Sequence, residues 1–513
     1  MNPDVEASRE PNRGARVGLR ARVRTRPVLY PVGILVAFIL FLLVRTGVSP
    51  YAAGRPLLIA VIVGLVLPWL LGLVVADRDR AGILAIVVVM LLLAGQSIAA
   101  TALLLAVFAL VLAEGITSPG RARGIRWSRI TRAMSAVTAV ILVAVGLAAL
   151  EGGRLLQVSH DLVAEVPIHL GEPVARAGAG QPPSVYLVML DGYPRADKLA
   201  AELEIDNEPF LQALASRSFI VSRHSRSNHV ATDLTLASMF NGALPSGADA
   251  GSADYRPAIN DGAIIRQFRD GGYEVIAFSS GFEGVTLRQV DRFVDSGQVN
   301  EFEWELLQLS GLAPVLDLVM PTFLADQHRA RVLATFDGAT SLAGEAPDRP
   351  RLVLVHVLNP HSPQVFGPAG EPIRVPGIQV PFDDSDELLI LGRGEYGRRF
   401  AGQLAYVNRR VLSLLAAVIS ADPEAIVVVF SDHGSGIREF ADIGGPSDVD
   451  LRTANMLAVR SPGHAGIIDD RSTLVNVLPR ILRAILGSGP ADVPETIYGP
   501  PVDGNPVVFE RPD

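Results

Sequence analysis

The chain has 513 residues, 49% of them hydrophobic and 19% charged, and its positive mean hydropathy of +0.34 is too high for a purely soluble protein. A formal charge of −8 argues against a generally basic nucleic-acid-binding protein. The absence of cysteine excludes disulfides, thiolate metal sites and cysteine nucleophiles; Lys198 is the sole lysine, which reflects codon usage rather than chemistry.

Residues 1–26 form an Arg-rich tail with Arg9, Arg13, Arg16, Arg20, Arg22, Arg24 and Arg26. Uncharged runs follow at 27–44, 56–76, 81–113 and 133–150, each long enough to consider as a membrane span. As a single helix the third would be roughly 50 Å long, against a hydrocarbon core of about 30 Å. A break at Gly95-Gln96-Ser97 divides it in two, for five spans within 27–151. A second basic stretch, Arg121, Arg123, Arg126, Arg129 and Arg132, precedes the last span. Both basic segments stay in the cytoplasm only if an even number of spans lies between them. The expectation is a multi-pass plasma-membrane protein with a cytoplasmic N-terminus and everything after Glu151 outside. The first run is too long for a signal-peptide core, and more spans follow it.

Residues 152–182 read as an extracytoplasmic linker, Gly/Pro/Ala-rich from Gly171 onward. From residue 183 to about 490 the pattern changes to short apolar runs separated by stretches of helical periodicity. The runs Val185–Leu190, Val275–Phe278, Leu352–Leu358 and Ile426–Phe430 have the length and Val/Ile/Leu enrichment of buried parallel strands. Segments 207–217 and 403–420 read as helices, and Met456–Val459 with Thr473–Leu486 as a closing strand and helix. This alternation predicts an α/β domain with helices on both faces of the sheet. There is no internal repeat, and the Pro-rich tail 491–513 is expected to be irregular.

In open α/β sheets ligands collect at the carboxyl ends of the strands. After Val185–Leu190 comes Asp191-Gly192-Tyr193, and after Ile426–Phe430 comes Ser431-Asp432-His433-Gly434. The third run holds His356 and leads into Asn359-Pro360-His361-Ser362-Pro363. Carboxylates and imidazoles are the ligand types of a divalent cation, and a buried Asp must be paired, hydrogen-bonded or metal-bound. His356 lies nearer the strand interior and reads as a satisfied core histidine. In the segment Ser227-Asn228-His229-Val230-Ala231-Thr232-Asp233-Leu234-Thr235, Thr232 is placed as a helix N-cap, where the helix dipole favours an alkoxide and an incoming oxyanion. Thr235 and Ser227 are the alternative nucleophiles, and Arg223 and Arg226 are possible phosphate donors.

The order strand–Asp191, helix-capping Thr232 and distant Ser431-Asp432-His433-Gly434 resembles the alkaline phosphatase/sulfatase superfamily. Leu190-Asp191-Gly192 followed by Arg195-Ala196-Asp197 is similar to the opening motif of sulfatase-like domains. An α-helical membrane region of about five spans followed by such an α/β domain resembles lipoteichoic acid synthase and its relatives, and more loosely the lipid A phosphoethanolamine transferases. The resemblance implies metal ligation by Asp191, Thr232, Asp432 and His433, with Thr232 also the nucleophile. It implies substrate binding by His361, to which Arg226 and Asn228 are added as neighbours of the nucleophile. One divalent ion is expected, Mn, Zn, Mg or Ca, with Mn or Zn favoured by the mixed carboxylate and imidazole donors. Asp326, His328 and His464 are weak candidates for a second ion.

Sulfatases form their nucleophile from a Cys or Ser within C/S-x-P-x-R, whereas this chain reads T-D-L-T-L from Thr232. The expectation is therefore a membrane-bound phosphotransferase or phosphodiesterase acting on a membrane lipid or cell-envelope glycan. The alternatives are a sulfuric ester hydrolase and a catalytically silent envelope scaffold with the same fold. No nucleic-acid partner is expected, and the oligomeric state is not legible.

Overall fold

A computed structural model describes residues 28–75, 77–93, 98–117, 127–158, 182–245, 254–310, 312–374, 387–434, 446–502 and 505–509. The chain divides into two compact units, Met1–Leu42 with Gly54–Gly146, and Leu43–Ala53 with Leu147–Asp513.

The N-terminal region contains, among the described residues, helices α1 (Tyr30–Thr46), α2 (Gly54–Val75), α3 (Arg78–Leu93), α4 (Ile98–Thr117) and α5 (Trp127–Val158). Pro50–Val75 and Trp127–Ala149 are long and apolar enough to cross a membrane, and Tyr30–Thr46 and Leu104–Ala113 are shorter apolar helices. Leu58, Ile62, Leu65, Trp69 and Leu73 of α2 point their apolar side chains outward, an arrangement suited to lipid as the solvent. The interruption expected within 81–113 falls between α3 and α4; Gly95-Gln96-Ser97 themselves lie outside the described residues, as do the tail 1–26 and Arg121, Arg123 and Arg126. Helix α5 runs on to Val158, so residues 152–158, expected in the linker, are helical. Glu151, Arg154, Leu155, Leu156 and Gln157 are good helix formers that carry the helix past Gly152-Gly153. The rest of the linker lies outside the described residues.

The second region begins with β1 (Val185–Leu190), α6 (Ala196–Leu203), α7 (Glu208–Ala215), β2 (Ile220–Val221), α8 (Thr232–Asn241), α9 (Arg256–Asn260), α10 (Ala263–Asp270), β3 (Glu274–Phe278) and β4 (Arg292–Val294). It continues with α11 (Glu301–Leu309), α12 (Leu312–Val319), α13 (Phe323–Ala343), β5 (Arg351–Val357), α14 (Glu387–Leu391) and α15 (Arg393–Ala421). The last elements are β6 (Ile426–Phe430), α16 (Pro446–Thr453), β7 (Leu457–Arg460), α17 (Val477–Leu486), β8 (Ile497–Val502) and β9 (Asn505–Phe509).

Seven strands form one sheet in the order β2-β7-β6-β1-β5-β3-β4. Strands β6, β1, β5, β3 and β4 are parallel, while β7 is antiparallel to both β6 and β2. The side chains of β1 alternate between the two faces, as the period of 2 demands. Tyr186, Val188 and Leu190 enter a core with Phe336, Leu404 and Val411; Val185, Leu187 and Met189 enter the other with Phe240, Phe268 and Leu478. Each fully buried Leu or Phe contributes about 1.5–3 kcal/mol, so a central strand buried on both faces is a rigid base for whatever its end carries.

Helix α15 is also long and apolar enough to cross a membrane. Its Tyr396, Phe400, Leu404, Val407 and Val411 are buried in the domain core, and Arg399 and Arg410 pair with Glu395 and Asp337. That is the burial pattern of a core helix with one charged face. The tail departs from expectation: β8 and β9 form an antiparallel hairpin. The Asp503-Gly504 dipeptide between them is the sequence signal for a two-residue turn, although these two residues lie outside those described.

Candidate metal centre and nucleophile

The register of the central strands assembles the site. Met189 of β1 lies beside His356 of β5 on one side and Phe430 of β6 on the other. The residues that follow, Asp191 and Ser431-Asp432-His433, therefore emerge side by side at the carboxyl end of the sheet. Asp191, Asp432 and His433 bring one ligand atom each within 4.8 Å of one another, all three buried, and form the one such carboxylate and imidazole group among the described residues.

The tautomer of His433 follows from its partner: Nδ1–H donates to the Gly434 carbonyl at 2.9 Å, because a carbonyl only accepts. Its Nε2 then presents a lone pair to Asp432 Oδ2 at 3.3 Å and Asp191 Oδ1 at 3.8 Å. Three electron-pair donors facing one another in a water-poor strand end repel unless a cation sits among them. The donor set therefore fits a divalent ion.

His356 enters where the sequence pointed to a core histidine. It is buried and satisfied, but its partner is the metal-site carboxylate: Nε2–H donates to Asp191 Oδ2 at 3.0 Å, which leaves Oδ1 turned toward His433. Burial pushes the Asp191 carboxyl up, but the His356 hydrogen bond and the nearby His361, His356 and His433 outweigh it and hold the group below the usual carboxylate range. The five-residue interval from His356 to His361, leaving a buried strand, was the available sequence signal.

Thr232 is the first residue of α8, and Ala231 is its N-cap. The expected N-cap role is thus corrected by one position. The hydroxyl keeps its place at the positive end of the helix and donates to Asp432 Oδ2 at 2.6 Å instead of capping the backbone. The alternatives are engaged elsewhere: Thr235 donates to the Asp432 carbonyl at 3.1 Å and Ser227 to the His229 carbonyl at 2.7 Å. Asp432 Oδ1 in turn accepts from the Gly192 N–H at 3.2 Å. Gly192 adopts φ +64, and a Cβ there would lie 3.4 Å from His361 and 3.5 Å from His433.

His361 reaches the same place. Its backbone N–H donates to the Asp191 carbonyl at 3.0 Å, its Nδ1–H donates to the Ser362 carbonyl at 2.7 Å, and its ring centroid is 6.4 Å from that of His433. Arg226 and Asn228 do not join the site as substrate donors. Arg226 is buried and pairs with Asp450 and with Thr453 Oγ1. The Asn228 amide donates to the Thr496 carbonyl at 2.8 Å and accepts from the Val475 N–H at 3.0 Å. These bonds tie the segment before Thr232 to the turn that precedes α17 and to the start of the C-terminal hairpin, where Tyr498 stacks on His229. Arg223 lies on the surface, paired with Glu208.

The candidates for a second ion separate. Asp326 pairs with Arg329 and accepts from Thr322. His464 lies on the turn after β7, at the opposite end of the sheet because β7 runs antiparallel. His328 is buried, and burial together with Arg331 and His361 pushes its imidazole down to about 3, so it is neutral.

The sulfatase family model matches residues 183–487, more than half of the chain. The chain belongs to the sulfatase family. Among solved structures, this sulfatase-family chain is similar to the zinc-bound C-terminal periplasmic domain of EptC from Escherichia coli, at 13% identity and a TM-score of 0.43, covering 65% of this chain and 94% of that one. It is similar also to the integral membrane protein lipooligosaccharide phosphoethanolamine transferase A from Neisseria meningitidis, at 14% identity and a TM-score of 0.39, covering 89% and 94%. A 2-O GAG sulfatase aligns at 16% identity and a TM-score of 0.41, covering 61% and 72%. No curated protein matches the chain in sequence.

Proposed function

We propose that this sulfatase-family chain is a membrane-anchored, metal-dependent phosphotransferase or phosphodiesterase with Thr232 as its nucleophile. The observation that carries the reading is the 2.6 Å hydrogen bond from Thr232 Oγ1 to Asp432, a carboxylate of the three-residue metal group. The formylglycine route to sulfate esters needs a Cys or Ser at this position, and Thr, with a methyl on Cβ, cannot be oxidised to that aldehyde. An unmodified threonine hydroxyl suits phosphoryl transfer, in which a covalent phospho-threonine divides one displacement into two.

Asp191, Asp432 and His433 would hold the ion, with Thr232 at its edge. When bound, a divalent cation supplies charge neutralisation for the phosphoryl oxygens and lowers the pKa of a coordinated hydroxyl. The residues do the rest. Thr232 Oγ1 attacks phosphorus as the bond to the departing alcohol breaks, and its proton leaves along the hydrogen bond to Asp432. The positive end of the α8 dipole favours the negative charge of the incoming phosphate. His361, its Nδ1–H held by the Ser362 carbonyl, steadies the phosphate or protonates the departing oxygen as the imidazolium, which carries a second proton on Nε2. Water or an acceptor hydroxyl then breaks the phospho-threonine bond and restores the free hydroxyl.

The apolar helices support a membrane location, and the arginine pattern supports a cytoplasmic N-terminus with residues after Glu151 outside. A site tethered there acts on membrane lipids or envelope glycans. The test is hydrolysis of a chromogenic phosphodiester and a chromogenic sulfate ester by the full-length, metal-loaded protein in detergent, beside Thr232→Ala. Phosphodiester turnover that disappears in the variant supports the reading. Sulfate turnover that survives the mutation overturns it in favour of a sulfuric ester hydrolase, and absence of stoichiometric metal overturns it in favour of the silent scaffold.

A further inference from the structure

Helix α12 presents a stripe of apolar side chains to the outside. Leu312, Val315, Leu318, Val319 and, just beyond, Met320 are 40–84% exposed, and Ala313 is the buried residue of the helix. At 100° per residue, Leu312, Val315 and Val319 share one face, while Asp317 points to the opposite side.

The preceding helix, α11, is bonded to the segment Leu43–Ala53, which joins α1 to α2 and belongs to the same compact unit as α11 and α12. Asn300, the N-cap of α11, donates from Nδ2 to the Ala52 carbonyl at 3.2 Å. Arg256 donates to the Thr46 carbonyl at 3.3 Å, and the Arg288 guanidinium lies 5.4 Å from the Tyr51 ring centroid. Glu305 in α11 is close enough to Arg45 to feel its charge. The connector between two apolar helices is thus bonded to the base of α11, and α12 begins only seven residues after Glu305.

We propose that α12 lies in the membrane interface, its Leu312–Val315–Val319 face among the acyl chains of the leaflet from which the Leu43–Ala53 connector emerges. This inference rests on the reading of α1 and α2 as membrane spans. The occupant is lipid because a connector between two spans ends at a bilayer surface on both sides, and α11, to which this connector is bonded, is followed three residues after its last residue by α12. Attachment is through apolar burial rather than charge, since the surrounding ionisable residues of α11 and α12 are Glu301, Glu303, Glu305 and Asp317. An amphipathic helix with these features lies along an interface without crossing it.

The chain contains no cysteine, so a single introduced thiol is a unique label. Val319→Cys, Leu65→Cys in α2 and Ser216→Cys, beside β2 at the opposite edge of the sheet, are each labelled with bimane. The full-length variants are placed in phosphatidylethanolamine/phosphatidylglycerol nanodiscs without quencher and with doxyl lipids labelled at a shallow position, for the interface, and at a deep position, for the bilayer centre where Leu65 lies. The expected result is at least twofold quenching at Val319 and Leu65 and none at Ser216. Quenching at Leu65 without quenching at Val319 overturns the inference while leaving the spans intact. Quenching at neither position overturns the span reading and this inference with it. Unquenched bimane at Val319, together with disulfide-linked dimers of the unlabelled Val319→Cys protein on air oxidation, overturns it in favour of a second copy.

Discussion

His356 donates from Nε2 to Asp191 Oδ2 at 3.0 Å across the boundary between β5 and β1. The bond makes His356 a positioning residue: it fixes which oxygen of Asp191 faces His433. Removing it with His356→Ala leaves a buried carboxylate short of one donor and free to rotate. Metal affinity should fall about 10–100-fold, measured by chelator competition with Mn2+ and Zn2+, while the fold persists by circular dichroism. Unchanged affinity would reduce His356 to packing.

The nucleophile assignment makes a graded prediction. Thr232→Ala should lower phosphodiester turnover by on the order of 10³-fold or more without loss of bound metal, because Asp191, Asp432 and His433 remain. Thr232→Ser keeps the hydroxyl and should retain measurable activity. Equal inactivity of the two variants would point away from a nucleophilic hydroxyl.

Metal removal is expected to act on activity before fold. The site lies at the end of a sheet whose strands are buried on both faces by independent cores, so dialysis against chelator should abolish turnover and leave secondary structure intact. Asp191→Asn or His433→Ala should lower metal stoichiometry well below one ion per chain by elemental analysis, and added metal should restore the wild type alone.

Glu301 at the start of α11 supplies the pH dependence. Burial raises its carboxyl from the usual 4.5 to about 7, partly offset by the Gly284 N–H. The folded state therefore binds more protons than the unfolded one between these values, and stability falls as pH rises from about 4.5 through 7. Glu301→Gln should be close to wild type in thermal midpoint at pH 5 and more stable at pH 8, by at most about 3 kcal/mol. A difference independent of pH would remove this cause.

Gly192→Ala tests the turn that follows Asp191 in the proposed metal group. The added Cβ meets His361 and His433 only at ordinary contact distances, so the cost is the left-handed backbone, about 1–2 kcal/mol. A fall of a few degrees in thermal midpoint is expected, with turnover reduced because the Gly192 N–H that holds Asp432 shifts.

The local grammar of this protein was readable from residues alone. Val185–Leu190 and Ile426–Phe430 are strands at the expected limits, since short continuous apolar runs suit strands buried on both faces. The apolar runs of the N-terminal half are helices for a similar reason. Asp191, Asp432 and His433 stood out because ionisable groups directly after buried strands need partners. What the linear order could not supply was neighbourhood. Only the placing of β1 between β5 and β6, with Met189 beside both His356 and Phe430, turned His356 toward Asp191 and Thr232 toward Asp432. The same folding committed Arg226 and Asn228 to Asp450, Val475 and Thr496, and it paired the Pro-rich tail into a hairpin. Periodicity records which faces a segment must bury, and that is a property of neighbouring residues. Which donor meets which acceptor depends on strand order and register, and those are decided only when segments far apart in sequence pack together.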